Sequence, residues 1–313
     1  LPDSDEGLAL GGGNNFHYSK IDPYWMAATS LEEALRRVIS VGADPERIAL
    51  NDNFTWPNSI YDEEENPEGK ENLGKLVRAN KALYRFTKEF RTPCISGKDS
   101  MFITGNLRDE FGDTRKVSGL PALQFSALGK VSDVRHCKTL RPEREGDLIY
   151  LIGTTRDELG GSEFYEYRGE TGSHVPKVRP GETRNHYRVI HTCISEDLAA
   201  SVHGVYRGGL AVSLAEMAIA AGLGIRIDLD KVPLEEEIRE ERILYSETPS
   251  RFLLTVDTKK GEKVEDLLSD VRAERIGTVE GGHLVVNGLS RSDLIDLPLS
   301  RLKEKYYGTF EGF

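Results

Sequence analysis

The sequence predicts an α/β fold, in the broad sense that includes α+β layering, divided into two domains. Three observations predict it. Amphipathic segments at helical spacing alternate with short apolar runs along all 313 residues, the pattern of helices layered on sheets. A chain of that length is long for one domain and comfortable for two. A charged, proline-containing stretch from Leu140 to Gly146 separates two such alternations. The expected division is therefore 1–138, a sheet-plus-helices domain, and 139–313, a C-terminal α/β domain.

Gly7 to Gly13 (GLALGGG) reads as a strand entering a flexible turn, and Phe16 stands where a dinucleotide fingerprint needs its third glycine. Ser30 and Glu33 read as a capping box that opens a helix. Its inner face is Leu31, Ala34, Leu35, Val38 and Ile39, and Gly42 and Pro45 end it. Ile48 to Leu50 predicts a short buried strand opening into NDNFTWP. An acidic loop, Asp62 to Glu71, precedes a second helix, with Leu73, Leu76, Val77, Asn80, Leu83, Tyr84 and Thr87 on one face. Cys94-Ile95 then leads into SGKDS, and Ala122 to Val131 predicts another strand. The second domain opens on a buried strand, Leu148 to Ile152. A helix from about Arg184 to Ala200 follows, then a glycine-rich turn (HGVYRGG), and a helix from Leu210 to Ala221 capped by Gly222 and Gly224. The strands IRIDLD and Phe252 to Val256, a helix near Glu262 to Leu268 and two short strands complete the chain.

Composition narrows the function. The net charge of −11 leaves no basic surplus to neutralise a nucleic-acid backbone or an acidic membrane. A small phosphorylated substrate needs only local donors and stays open. No apolar run approaches a membrane span and no signal-peptide pattern opens the chain. The start at Leu1-Pro2-Asp3, without an initiator Met, reads as a piece of a longer polypeptide. Cys94, Cys137 and Cys193 lack metal-type spacing, which predicts core thiols in a reduced cytoplasmic protein.

Two motifs hold candidate chemistry. SGKDS, Ser96 to Ser100, packs a glycine, a cation, a carboxylate and two hydroxyls into five residues. Glycine admits a phosphate to the backbone, lysine adds a charge, and aspartate suits a metal. It is not a Walker A loop, since Thr92 and Asp99 stand where glycine and a hydroxyl residue belong. A plain polar turn explains it equally well. In NDNFTWP, Asp52 follows a strand, where ligand-facing residues of such sheets sit, although an Asx turn before Pro57 is an equal alternative. The seven histidines show no metal-ligand pattern.

Taken together, GLALGGGNNFHYSKIDPYWMA, EALRRVISVGADPERIALNDNFTWP, PCISGKDSM, SALGKV, GDLIYLIG with ELGGSE, GGLAVSLAEMAIA with GIRIDL, and SETPSRFLLTV span nearly the whole chain. The combination resembles the latter half of the synthetase subunit of the phosphoribosylformylglycinamidine synthases, within the aminoimidazole-ribotide-synthetase-like superfamily. The resemblance implies an ATP- and Mg²⁺-dependent ligase of purine biosynthesis. Its substrate is formylglycinamide ribonucleotide, and its ammonia comes from a glutaminase domain or subunit. It implies a related first half, which pairs with this one and holds the catalytic histidines, so no catalytic residue is expected here and the fragment alone is expected to be inactive and to self-associate as a homodimer. Carried over by position, Asp52 and Gly97 contact the nucleotide and Ser100 the substrate. The position of Lys98 lies near a metal, but many members have asparagine there, so Asp99 is the alternative ligand. Some long members hold a second nucleotide through a glutamate matching Glu33 and a His-Asp-x-Ser-Asp-Gly-Gly turn. Here Gly204, Tyr206 and Arg207 replace the polar turn positions and Arg37 replaces an asparagine, which predicts that this second site is lost. Other readings are a non-catalytic scaffold half, or another ATP-using member such as a selenophosphate synthetase or thiamine-phosphate kinase.

Overall fold

In the computed structural model, which describes residues 3–308, the first 131 residues build a four-stranded sheet with two long helices on one face. The opening Leu1-Pro2 lies outside the described residues. In chain order the elements are β1 (Gly7–Gly13), α1 (Pro23–Val41), β2 (Ile48–Trp56), α2 (Gly69–Phe90), β3 (Cys94–Met101), β4 (Thr104–Arg108), β5 (Thr114–Ser118) and β6 (Ala122–Val131). The sheet runs β1-β6-β2-β3, and β4 and β5 form a separate hairpin. The pairs β1–β6 and β6–β2 are antiparallel, while β2 and β3 are parallel, as expected when a helix crosses between them. β1 alternates strictly, with Ala9 buried under the helices and Leu8 and Leu10 exposed on the far side. Its inward glycines are a steric requirement: a Cβ on Gly13 would fall 2.0 Å from the Ser30 carbonyl oxygen.

Helix α1 corrects the capping-box reading. It starts seven residues before Ser30, with Pro23 at its first position and the Asp22 side chain accepting the Tyr24 N–H at 2.9 Å. A capping aspartate followed by proline is the stronger start signal. Ser30 and Glu33 are therefore buried mid-helix, and Ser30 Oγ donates to the Met26 carbonyl at 2.8 Å. Gly42, at φ 117°, ends the helix as expected. The inner face of α2 is also offset from the prediction. Ala79, Ala82, Phe86 and Phe90 are buried, Leu76 and Leu83 pack partly, and Leu73, Val77 and Tyr84 face solvent.

Both motif segments are strands rather than turns. NDNFTW continues β2 and SGKDSM belongs to β3. β2 is bonded along both edges, to β6 and to β3, so ladder pairing overrides the turn preference of its Asn and Asp residues. The β4–β5 hairpin is a further element that the sequence reading lacked.

The second half forms a seven-stranded sheet, ordered β13-β12-β9-β11-β7-β10-β8. Its elements are β7 (Leu148–Ile152), α3 (Glu163–Tyr167), α4 (Pro180–Ser195), β8 (Ser201–Gly204), α5 (Gly209–Ala221), β9 (Ile225–Asp228), α6 (Glu240–Tyr245), β10 (Phe252–Val256), α7 (Gly261–Leu268), β11 (Ala273–Val279), β12 (His283–Asn287), β13 (Ile295–Pro298) and α8 (Leu299–Tyr307). β7 and β10 are buried throughout. One sheet face, through Tyr150, Ile152 and Phe252, packs on α4 in a core continuous with α1 and α2. The other, through Ile149, Leu151 and Leu253, packs on α5 and α6. Helices and sheets thus layer as the α/β expectation required. Helix α4 starts at Pro180 and ends at Ser195, four to five residues earlier than predicted, because proline is preorganised for the first helical position. HGVYRGG begins inside β8 rather than in a turn between helices.

The two halves are also joined by buried charge. The Glu32–Arg36 pair, 3.3 Å apart, lies inside, Arg36 donates to the Val205 carbonyl at 2.7 Å, and Tyr187 donates to Glu32. No helix among the described residues is long and apolar enough to cross a membrane. Cys193 is buried, whereas Cys94 and Cys137 are exposed, so the core-thiol expectation holds for one cysteine of three.

Candidate functional site

β2 and β3 bring the two motifs together. In register, Asp52 faces Gly97, Asn53 faces Lys98, Phe54 faces Asp99 and Thr55 faces Ser100. Alternation then sorts them. Asp52, Gly97 and Asp99 lie on the helix side with buried Phe54, and Lys98 and Ser100 lie on the open side with Asn53 and Thr55. The two candidate nucleotide residues are thus neighbours. A Cβ on Gly97 would stand 2.8 Å from Asp52 Oδ1, so only glycine leaves that carboxylate its place. Burial, with the nearby Asp52 carboxylate, pushes the Cys94 thiol up to about 11.

On the open side, the Lys98 ammonium donates to Ser100 Oγ. Asn53 Oδ1 is buried without a hydrogen-bond partner, an arrangement that leaves an acceptor beside the Lys98–Ser100 pair. No helix among the described residues covers this side, and Leu8, Leu10 and Leu128 continue it as an exposed apolar surface. Asp99 lies across the sheet from Ser100. Among the described residues, no group of three His, Cys, Asp or Glu side chains is placed to hold a metal ion. Among the described residues, neither Lys98, a cation, nor Asp99 belongs to such a group.

Glu33 is engaged elsewhere. It accepts from Asn15 Nδ2 at 3.0 Å and pairs with Arg37 at 2.7 Å. The Tyr206 ring lies under both the Arg36 and Arg37 guanidinium groups, at 4.8 and 4.4 Å. A Cβ on Gly204 would meet that ring at 2.5 Å. The Tyr206 ring therefore fills the room a side chain at position 204 would need. Arg207 pairs with Glu163, and His203 with Glu216 at 2.9 Å.

A buried carboxylate that the sequence reading missed lies nearby. Glu247 accepts the Gly208 N–H at 2.8 Å, the Glu163 N–H at 2.9 Å and the Tyr18 hydroxyl. It thereby ties the start of α3 and the start of α5 to the first half. Burial pushes its carboxyl up to about 7, against the pull of the Gly208 N–H and Tyr18. Glu247 lies in SETPSR, a segment whose spacing points to no chemistry.

Residues 144–287 match the family model described as AIR synthase related protein, C-terminal domain. The subunit PurL of phosphoribosylformylglycinamidine synthase from Methanocaldococcus jannaschii is 31% identical over 308 residues, covering 97% of this chain and 39% of that protein. The second half of this chain is thus similar to AIR-synthase-related C-terminal domains. The fold resembles PurL of T. maritima complexed with FGAR, with a TM-score of 0.74 at 18% identity, covering 96% of this chain and 46% of that one. T. maritima PurL complexed with ATP gives a TM-score of 0.71 at 16% identity, covering 95% and 44%. The chain spans about two fifths of the length of the curated relatives it matches.

Proposed function

We propose that this chain is the latter half of an ATP-dependent phosphoribosylformylglycinamidine synthase, divided near residue 138 into its two domains. The observation that supports this most is the likeness to synthase subunits over 97% of the chain, together with the apposition of Asp52 and Gly97 on neighbouring strands. In this reading ATP phosphorylates the amide oxygen of formylglycinamide ribonucleotide, releasing ADP. Ammonia from a glutaminase adds to the activated carbon, and phosphate leaves as the amidine forms. An amide oxygen is a poor leaving group until it is phosphorylated, which is why ATP is needed.

Asp52 and Gly97 contact the nucleotide on the helix side of β3, and Ser100, steadied by Lys98, meets the substrate on the open side. The catalytic histidines and the Mg²⁺ ligands come from the first half of the subunit, whose docking covers Leu8, Leu10 and Leu128. Magnesium bound there would neutralise the ATP phosphates. In the complete enzyme, Asp52→Ala and Ser100→Ala should each lower turnover on the order of tenfold to a thousandfold, as expected for a lost charged or transition-state contact. Wild-type kinetics in both variants would remove these residues from the site. They would favour a scaffold half that only completes its partner.

A further inference from the structure

Lys98 puts a fixed positive charge where the resemblance implies a metal ion. It stands on the open face of the first sheet, between Ser96 and Ser100 of β3, each about 6.6 Å away along the strand. Asn51, Asn53 and Thr55 of β2 lie beside these three, and Gln124 and Ser126 of β6 lie beyond. Among the described residues of the four strands, no carboxylate stands on this face. Asp99, the next residue, belongs to the helix side, and Lys130, the other lysine of the face, is paired with Glu6. Lys98 is exposed and donates to Ser100 Oγ. An ammonium has three N–H donors and no acceptor. Two N–H groups therefore remain, and Ser100, its oxygen already engaged, has its own O–H left to give. No acceptor for these donors is seen among the described residues. β3 is an edge strand, bonded only to β2, so the pair is open along its flank as well as above the sheet.

We propose that Lys98 and Ser100 form a binding site for a phosphate group, in which the charge of the lysine stands in for a metal ion. The inference rests on the ligase reading above, which brings two phosphate esters to this chain, ATP and the ribonucleotide. It adds that one of them is held on the open face without a divalent ion. A phosphate presents acceptor oxygens and negative charge, the complement of an ammonium and a hydroxyl that have only donors to offer. A carboxylate on the face would compete for the ammonium, and none is there. A divalent ion beside Lys98 would meet a like charge, which repels it. It would also lack oxygen ligands of its own kind, because Asp99 lies across the sheet and the neighbouring side chains are neutral.

The test titrates this chain with inorganic phosphate, ribose 5-phosphate and ATP, in EDTA and again in Mg²⁺, following the backbone amide signals of Lys98 and Ser100 by NMR. Saturable binding is expected in EDTA at millimolar concentration or below. Lys98→Met should weaken it by about tenfold or more, in line with the loss of a charge-assisted hydrogen bond, and Lys98→Arg should keep it. Lys98 is exposed, so both variants should melt like wild type, and melting curves control for folding. Tighter binding of ribose 5-phosphate than of ATP supports the proposal and assigns the site to the ribonucleotide. The reverse order supports it and assigns the site to the nucleotide. Wild-type affinity in Lys98→Met overturns the proposal, as does binding that appears only with Mg²⁺. Binding of inorganic phosphate but of neither ester overturns it too, and so does the absence of any shift with all three probes at millimolar concentration. The ligase reading survives each of these results and falls instead if the complete enzyme forms no amidine.

Discussion

Replacing Gly97 with alanine sets a methyl group 2.8 Å from Asp52 Oδ1 and 3.1 Å from its Cγ. Ordinary contact needs about 3.4 Å, so the carboxylate must retreat by about 0.6 Å or rotate off its rotamer, which costs about 0.5–1.5 kcal/mol. The substitution also removes unfolded-state freedom, which offsets that cost by about 0.4–1 kcal/mol. The two effects nearly cancel, and the melting temperature of Gly97→Ala should stay within a few degrees of wild type. Nucleotide contact should not survive as well. A carboxylate displaced by over half an ångström no longer meets its partner, and misplacements of about 1 Å cost on the order of a hundredfold. ATP titration should therefore show at least about tenfold weaker binding with the fold intact. Adding Asp52→Ala relieves the clash, so Gly97→Ala should then have no further effect on binding. Unchanged ATP affinity in Gly97→Ala would refute the account of this pair, and so would a loss of stability beyond about 3 kcal/mol.

The remaining predictions concern the rest of the molecule. Leu10, 78% exposed on the open sheet, should drive self-association of the chain alone. Sedimentation at high concentration should show dimers that Leu10→Glu abolishes, and a wild-type monomer would contradict this. Burial raises Glu247 to about 7, so its proton is held more tightly in the folded state than in the unfolded one. Its stabilising contribution is then complete at acid pH and lost as the pH rises through 7, worth about 3 kcal/mol. Glu247→Gln should flatten the fall in melting temperature between pH 5 and 8, and an unchanged slope would show that the site keeps its charge. With Arg37 on Glu33 and Tyr206 filling the turn, heat-denatured protein should release no stoichiometric ADP. Stoichiometric ADP in the supernatant would restore the second nucleotide site.

The layered fold was legible because its strongest signals are local. β6, β7 and β10 read directly as apolar runs, and Gly42 and Gly222 marked helix ends. What failed was decided by tertiary context. NDNFTW and SGKDSM hold turn-favouring residues, yet two paired edges hold β2 extended. The inner face of α2 was misassigned because the helix has two apolar stripes, and periodicity cannot say which meets the sheet. Asp52 and Gly97 were named from resemblance, but their apposition, and the separation of Asp99 from Ser100 across the sheet, follow only from register. Glu247 escaped notice because three donors from distant segments meet there, and no spacing in the sequence records that.

The central claim is that this chain supplies half of an ATP-driven amidine synthesis. It is tested most directly by incubating formylglycinamide ribonucleotide, ATP, Mg²⁺ and ammonium with the chain alone, then with the first half of its subunit added, while following ADP and amidine. The account predicts neither product from the chain alone and both, in equal amounts, once the first half is present. Amidine formed by the chain alone would contradict it, as would ADP formed without amidine in the reconstituted enzyme.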